Sequence, residues 1–210
     1  MPRGLFLKRL SVPAVLSYLQ TSSSTLDSSG VVTISSQNFG TAASDRYIFC
    51  GVTWSSDGSG YTLDSATIGG VSATIHVQTE DPAGYGSAII SAPVPSGTSG
   101  DIVLTFNQAS IAARAHAYRV TGLGSQTAHD TDSDIDDVVS MSLNIPDGGF
   151  ALGCARFQST SAITTTGLTE DFDTSGAVSG SASTLASETG RTISFDGGTG
   201  NAAGVCASFA

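Results

Sequence analysis

From Gly30 to Ala210 the chain repeats one pattern, a short apolar or alternating run followed by a cluster of Ser, Gly, Asn and Asp. RYIFCGVTW is followed by SSDGSG, and DIVLTF by NQAS. Strand-sized runs at a spacing of roughly 8–12 residues, punctuated by turn residues, predict an all-β protein of the sandwich or barrel kind. The predicted strands cover 31–36, 46–54, 61–68, 72–78, 87–92, 101–106 and 111–120, then 138–145, 150–157, 162–168, 177–186, 191–195 and 203–209. Period-two alternation puts Ile48, Cys50, Val52 and Trp54 on one face, and Ile102, Leu104 and Phe106 on another. Gly69-Gly70, Gly148-Gly149 and Gly197-Gly198 supply turn chemistry. Helical periodicity is almost absent, and no short repeat of the solenoid or propeller kind is visible. Residues 30–210 are therefore read as a single β-sandwich, jelly-roll-like.

Residues 1–29 break the pattern and are read as an extended N-terminal arm and linker. Leu5, Phe6, Leu7, Leu10, Val15 and Leu16 are too apolar to stay in water, and Pro2 and Pro13 prevent the stretch from folding alone. Arg3, Lys8 and Arg9 put a positive charge beside that apolar run. The start resembles a secretory leader, but Ser11 and Pro13 interrupt its apolar middle and no small-residue cleavage site follows, so the arm is expected to be retained. These nine residues are the candidate partner-binding set. No run approaches the ~18 apolar residues of a membrane-spanning helix.

Composition sharpens this reading. Only 12% of residues are charged, about half the usual quarter, so hydroxyls, amides and glycine must cover the surface. The net charge is −10 and no lysine follows Lys8, which argues against nucleic acid as a partner. Low surface charge with many strand edges points to a homo-oligomer, because bare edges aggregate. Cys50, Cys154 and Cys206 are odd in number and lie inside apolar runs, as buried reduced thiols do.

Candidate chemistry is thin. Asp130, Asp132 and Asp134 echo the start of a calcium loop, but Ile135 stands where the turn glycine belongs and Met141 where the closing glutamate belongs. They are weak metal candidates, more in keeping with a solvated acidic loop, and no cofactor is expected. His76, His116 and His129 show no metal-ligand spacing. The run Arg114-Ala115-His116-Ala117-Tyr118 reads as an exposed or inter-subunit strand face. No G-x-S-x-G elbow occurs, and Glu170, Asp171 and Asp173 are the sort of carboxylates any acidic β-protein carries. The chain is accordingly not read as an enzyme. Trp54, Tyr61 and Tyr85 fall at strand ends or in loops, where sugar-binding proteins stack pyranose rings, and form the candidate glycan-binding set.

Three stretches, ATIGGVSAT from Ala66, VPSGTSGDIVLTF from Val94 and AYRVTGL from Ala117, resemble a β-sandwich family of virion structural proteins in tailed bacteriophages and prophages of marine alphaproteobacteria. GGFALG from Gly148 and GLTEDFD from Gly167 continue the likeness, which covers about 30–210 but not the arm. The resemblance implies a structural role in the capsid surface, collar, tail or fibre, with no catalytic residues to carry over. It also implies assembly in the bacterial host cytoplasm and a final location in the extracellular virion. Partners would be other virion proteins, through the arm, and a host-surface glycan; a trimer is expected by analogy with virion spikes, and no membrane is involved. The alternative is a secreted carbohydrate-binding module, which requires Trp54, Tyr61 and Tyr85 on one open face. The third reading, a glycosidase or esterase, requires two carboxylates or a Ser–His pair converging in a pocket.

Overall fold

The computed structural model describes residues 13–24, 27–159, 161–174 and 176–210. These residues are all-β, without a helix. The first half holds β1 (Val15–Ser23), β2 (Val31–Asn38), β3 (Tyr47–Ser56), β4 (Leu63–Ile68), β5 (Val71–Ser72), β6 (Thr74–Glu80), β7 (Tyr85–Pro93), β8 (Ser99–Phe106) and β9 (Ile111–Thr121). The second holds β10 (Asp130–Asp134), β11 (Val138–Ile145), β12 (Phe150–Phe157), β13 (Thr164–Thr166), β14 (Thr169–Thr174), β15 (Ala177–Ser183), β16 (Glu188–Asp196) and β17 (Ala202–Phe209).

The strands form four open antiparallel sheets. In the first half an inner sheet, β1-β9-β3-β7-β6, packs on an outer one, β2-β8-β4-β5; in the second half β10-β17-β12-β15-β14 packs on β11-β16-β13. The two halves share one strand plan. Replacing β1–β4 by β10–β13 and β6–β9 by β14–β17 converts one set of sheet orders into the other, and only β5 has no counterpart.

The buried side chains show how the sheets stack. One cluster, with Val32, Ile34, Ile102 and Leu104 from the outer sheet and Ile48, Cys50, Val52 and Ile90 from the inner, fills the first half. A second, including Val139, Met141, Ile193, Phe195, Ala155 and Phe157, fills the second half. A third joins the two inner sheets through Phe49, Ile89, Tyr118, Phe150, Leu152, Cys154, Val205 and Phe209. There Phe49 meets Phe150 and Phe209 edge-on, with centroids 5.5 and 4.7 Å apart, the geometry aromatic quadrupoles favour.

The single sandwich expected over 30–210 is thus two sheet pairs stacked through their inner sheets. The reason lies in the strands. β2 and β11 alternate buried and exposed positions because one face meets solvent. β3, β7, β12 and β17 are buried on nearly every residue because both faces are covered. Gly51 marks how closely β3 and β12 approach: a Cβ there would lie 3.1 Å from that of Cys154. All three cysteines are buried and free, as expected. Burial pushes the Cys154 thiol up to about 12 and also raises Cys50 and Cys206.

Two segments read as unstructured are strands. Residues 15–23, assigned to the arm and linker, are β1, paired with β9 from Val15↔Thr121 to Ser23↔Arg114. The acidic stretch is β10, paired with β17. Its three aspartates form a ladder to the edge of the second outer sheet. Asp130, Asp132 and Asp134 accept the backbone N–H groups of Asn144, Ser142 and Ser140 at 2.8–2.9 Å, and through the other oxygen that of the residue following each. The carboxylates thus occupy donors that β11 would otherwise present as a bare edge. The stretch is thus a paired strand rather than a solvated loop, and both oxygens of each carboxylate accept an N–H group. Asp132→Ala is expected to cost about 1.5–3 kcal/mol, the worth of hydrogen bonds to a charged acceptor. Asp132→Asn should recover little, because one of its two amide atoms is a donor and would meet a donor; urea unfolding of both variants checks this.

Candidate functional site

The two inner sheets do not meet evenly. β17 lies close against β6 and β7, and β12 against β3 and β7. On the other side β9 reaches β14 through side chains: the His116 and Phe172 rings are 5.0 Å apart, and Arg114 Nη1 donates to Thr174 O at 2.9 Å. Polar groups therefore collect along this side of the seam.

His116 is buried there, and the face it shares with Arg114 and Tyr118 is covered by the chain's own second half rather than exposed. Its Nδ1 shares a hydrogen bond of 2.8 Å with Thr21 Oγ1, which also bonds Tyr18 Oη, and its Nε2 one of 3.3 Å with Thr53 Oγ1. Burial, and then Arg114, push its pKa down to about 3. Burial likewise lifts the Tyr118 phenol and the half-buried Asp171 carboxyl.

Beyond His116 the same face opens into a pocket of about 120 Å³, lined by Ser23, Ser24, Thr53, Ser55, Ala112, Ala113, Arg114 and Arg156. Strand register builds it. Ser23, Arg114 and Thr53 are cross-strand neighbours on β1, β9 and β3. Arg156 enters from β12 with its guanidinium carbon 5.7 Å from the Tyr85 ring centre. Positive φ at Gly176 keeps that position free of a Cβ, which would stand 2.9 Å from Arg156 Nη1.

The glycan-binding set does not come together. Trp54 is 1% and Tyr61 6% exposed, and both belong to the first core. Trp54 packs edge-on against Phe106, the Tyr61 hydroxyl donates to Asp57, and Tyr85 carries Arg156 on its ring. Alternation had already put Trp54 on the core face with Ile48, Cys50 and Val52. Of the partner-binding set, Leu16 packs into the seam cluster and Val15 is 54% exposed on β1. Arg3, Leu5, Phe6, Leu7, Lys8, Arg9 and Leu10 lie outside the described residues.

One pairing that sequence reasoning missed is His76 with Ser91, whose Nε2 and Oγ are 2.8 Å apart. His76 borders a wide groove with Thr74, Gln126 and Thr131. Ser91, however, is fully buried and accepts from Gln126 Nε2 at 3.3 Å, so its oxygen is not presented to that groove. The imidazole is held between Phe49 and Phe209, and burial pushes its pKa down to about 4.

The two neutral imidazoles predict an acid-labile fold. Their folded pKa values lie below the unfolded value near 6.5, so the unfolded chain binds more protons in acid. Their stabilisation is complete above pH 6.5 and is lost progressively as pH falls below it, down to about 4 for His76 and about 3 for His116. The slope should approach about 1.4 kcal/mol per pH unit for His116 and be smaller for His76, which is only partly buried. Unfolding free energies at pH 7, 6 and 5 check this, and His116→Gln should flatten the curve.

Comparison with family models, curated proteins and solved structures finds no match to this chain.

Proposed function

We propose that the protein is a structural component of a tailed-bacteriophage particle, built from two jelly rolls and joined to the particle through its N-terminal residues. The observation that carries the reading is strand order. β1-β9-β3-β7 facing β2-β8-β4-β5 is the order of two Greek keys folded into a jelly roll, and β10-β17-β12-β15 facing β11-β16-β13 repeats it without the final strand. Jelly rolls recur in viral capsid and lectin domains. The resemblance of 30–210 to virion proteins favours the first, and burial of Trp54 and Tyr61 removes the aromatic platform on which the second was based.

Ala14 is buried in the seam and its N–H donates to Gly148 O at 3.2 Å, so the first described residues lie at the junction of the two halves. Burying side chains such as Leu5, Phe6, Leu7 and Leu10 on another virion protein would contribute roughly 1.5–3 kcal/mol each before ordering costs. Arg3, Lys8 and Arg9 would steer them to an acidic surface. In this reading the body forms a homo-oligomer, a trimer by analogy, on an extracellular virion assembled in the host cytoplasm.

An antibody against the chain should decorate density-purified particles of the phage that encodes it, and light scattering should detect an oligomer. Unlabelled particles together with a protein that remains monomeric at every concentration would remove the proposal.

A further inference from the structure

The seam pocket has features that the particle reading does not use. Five arginines follow Arg9 in a chain of net charge −10, and two of them, Arg114 and Arg156, line one pocket. They come from different halves, on β9 of the first inner sheet and β12 of the second. The lining adds four hydroxyls, from Ser23, Ser24, Thr53 and Ser55, and contains no carboxylate among the described residues. The β14 carboxylates Asp171 and Asp173 are directed elsewhere, accepting from Ser181 Oγ at 2.6 Å and Ile163 N at 2.9 Å.

Bringing two guanidiniums into one partly buried pocket is unfavourable by itself. Burial lowers the pKa of Arg156, and Arg114 lowers it further. Burial lowers that of Arg114 as well. Each is nevertheless held in place, Arg114 by Thr174 O and Arg156 over Tyr85. Arg114 spends one N–H on that carbonyl, and its remaining donors have no protein acceptor among the described residues. Guanidinium forks match the spacing of carboxylate and sulfate oxygens, and serine and threonine hydroxyls supply further donors.

We propose that the pocket between β1, β3, β9 and β12 is an oxyanion site, in which Arg114 and Arg156 clamp the carboxylate or sulfate group of an acidic ligand and the Ser23 and Ser55 hydroxyls complete its hydrogen bonds. The site stands independently of the particle reading. β1 carries the chain from Ala14 at the junction of the halves to the pocket at Ser23, roughly 25–30 Å at a strand's rise per residue. The pocket therefore opens at the other end of β1 from Ala14.

The test titrates the full chain with sodium sulfate and, separately, sodium acetate, at ionic strength held constant with chloride, following backbone amide shifts by NMR. Sulfate stabilises folded proteins in general by exclusion from their surface, so a rise in Tm is not the readout. The site predicts saturable shifts at Ser24, Ala112 and Ala113, with the stronger of the two anions naming the preferred group. Arg114→Gln should weaken binding by about tenfold or more. Without anion its Tm should be unchanged or raised, because a like-charge contact is relieved. Arg156→Lys, which retains the charge but loses the fork, should weaken binding while leaving the fold intact. No saturable shift with either anion would overturn the proposal. So would Arg114→Gln binding as the parent does, or a large fall in its anion-free Tm, which would make Arg114 a structural staple.

Discussion

Replacing Arg46 by alanine is expected to destabilise the protein by about 3–5 kcal/mol, the largest single-residue loss in the molecule. Arg46 precedes β3 and is 1% exposed. Its guanidinium donates from Nε to Val94 O, from Nη1 to Phe39 O and Gly40 O, and from Nη2 to Ser96 O and Gly97 O, over 2.6–3.1 Å. All five donors are thus spent on main-chain carbonyls of two loops that have no strand partners of their own. Alanine leaves a void and five acceptors short of a donor. Lysine, with three donors on a point charge, should recover less than half of the loss. For a chain of this size the alanine variant corresponds to a fall in Tm of about 6–20 °C. A loss below about 1 kcal/mol would show that the loops rearrange or hydrate without the staple.

Gly86→Ala should be nearly as damaging, at about 2–4 kcal/mol, for a steric reason. Gly86 on β7 stands opposite Trp54 on β3, and the indole lies across the space a side chain would fill. A Cβ there would fall 2.1 Å from Trp54 Cε2 and 2.5 Å from Nε1. Trp54 cannot retreat, being buried against Phe106, and Gly86 is pinned by Glu80 on β6 as well as by Trp54. Trp54→Leu should cost stability in the parent and less in the Gly86→Ala background, because the smaller side chain relieves the overlap. Additive losses in that double-mutant cycle would contradict the close contact.

The strand inventory was largely legible in the sequence because alternation and turn glycines report local geometry. β2 and β11 show it best, as faces of outer sheets. Two-sided burial was also written there, in the unbroken small and apolar runs of AIISAP, FALGC and GVCASF, and such runs are what a sheet covered on both faces requires. β1 was hidden because its polar residues, Thr21 among them, bond within the seam rather than alternate with solvent. β10 was hidden because aspartate disfavours strands unless, as here, its carboxylate serves a neighbouring edge. The repeat of strand plan escaped notice because it lies in strand order, which no local run of residues reports. The arginine pocket had no sequence signature, since Arg114 and Arg156 meet only once the halves are stacked.

The central claim, a particle protein held by its N-terminal residues, is tested most directly by deleting residues 1–12 and measuring how much of the chain enters purified particles. The truncated protein keeps β1 and every described member of the seam and of the three cores, so its Tm is expected to stay within a few degrees of the full-length value. The account predicts that full-length protein is found in particles at a fixed copy number and that the folded, truncated protein is absent from them. Truncated protein incorporated at the normal copy number, or full-length protein missing from particles, would contradict it.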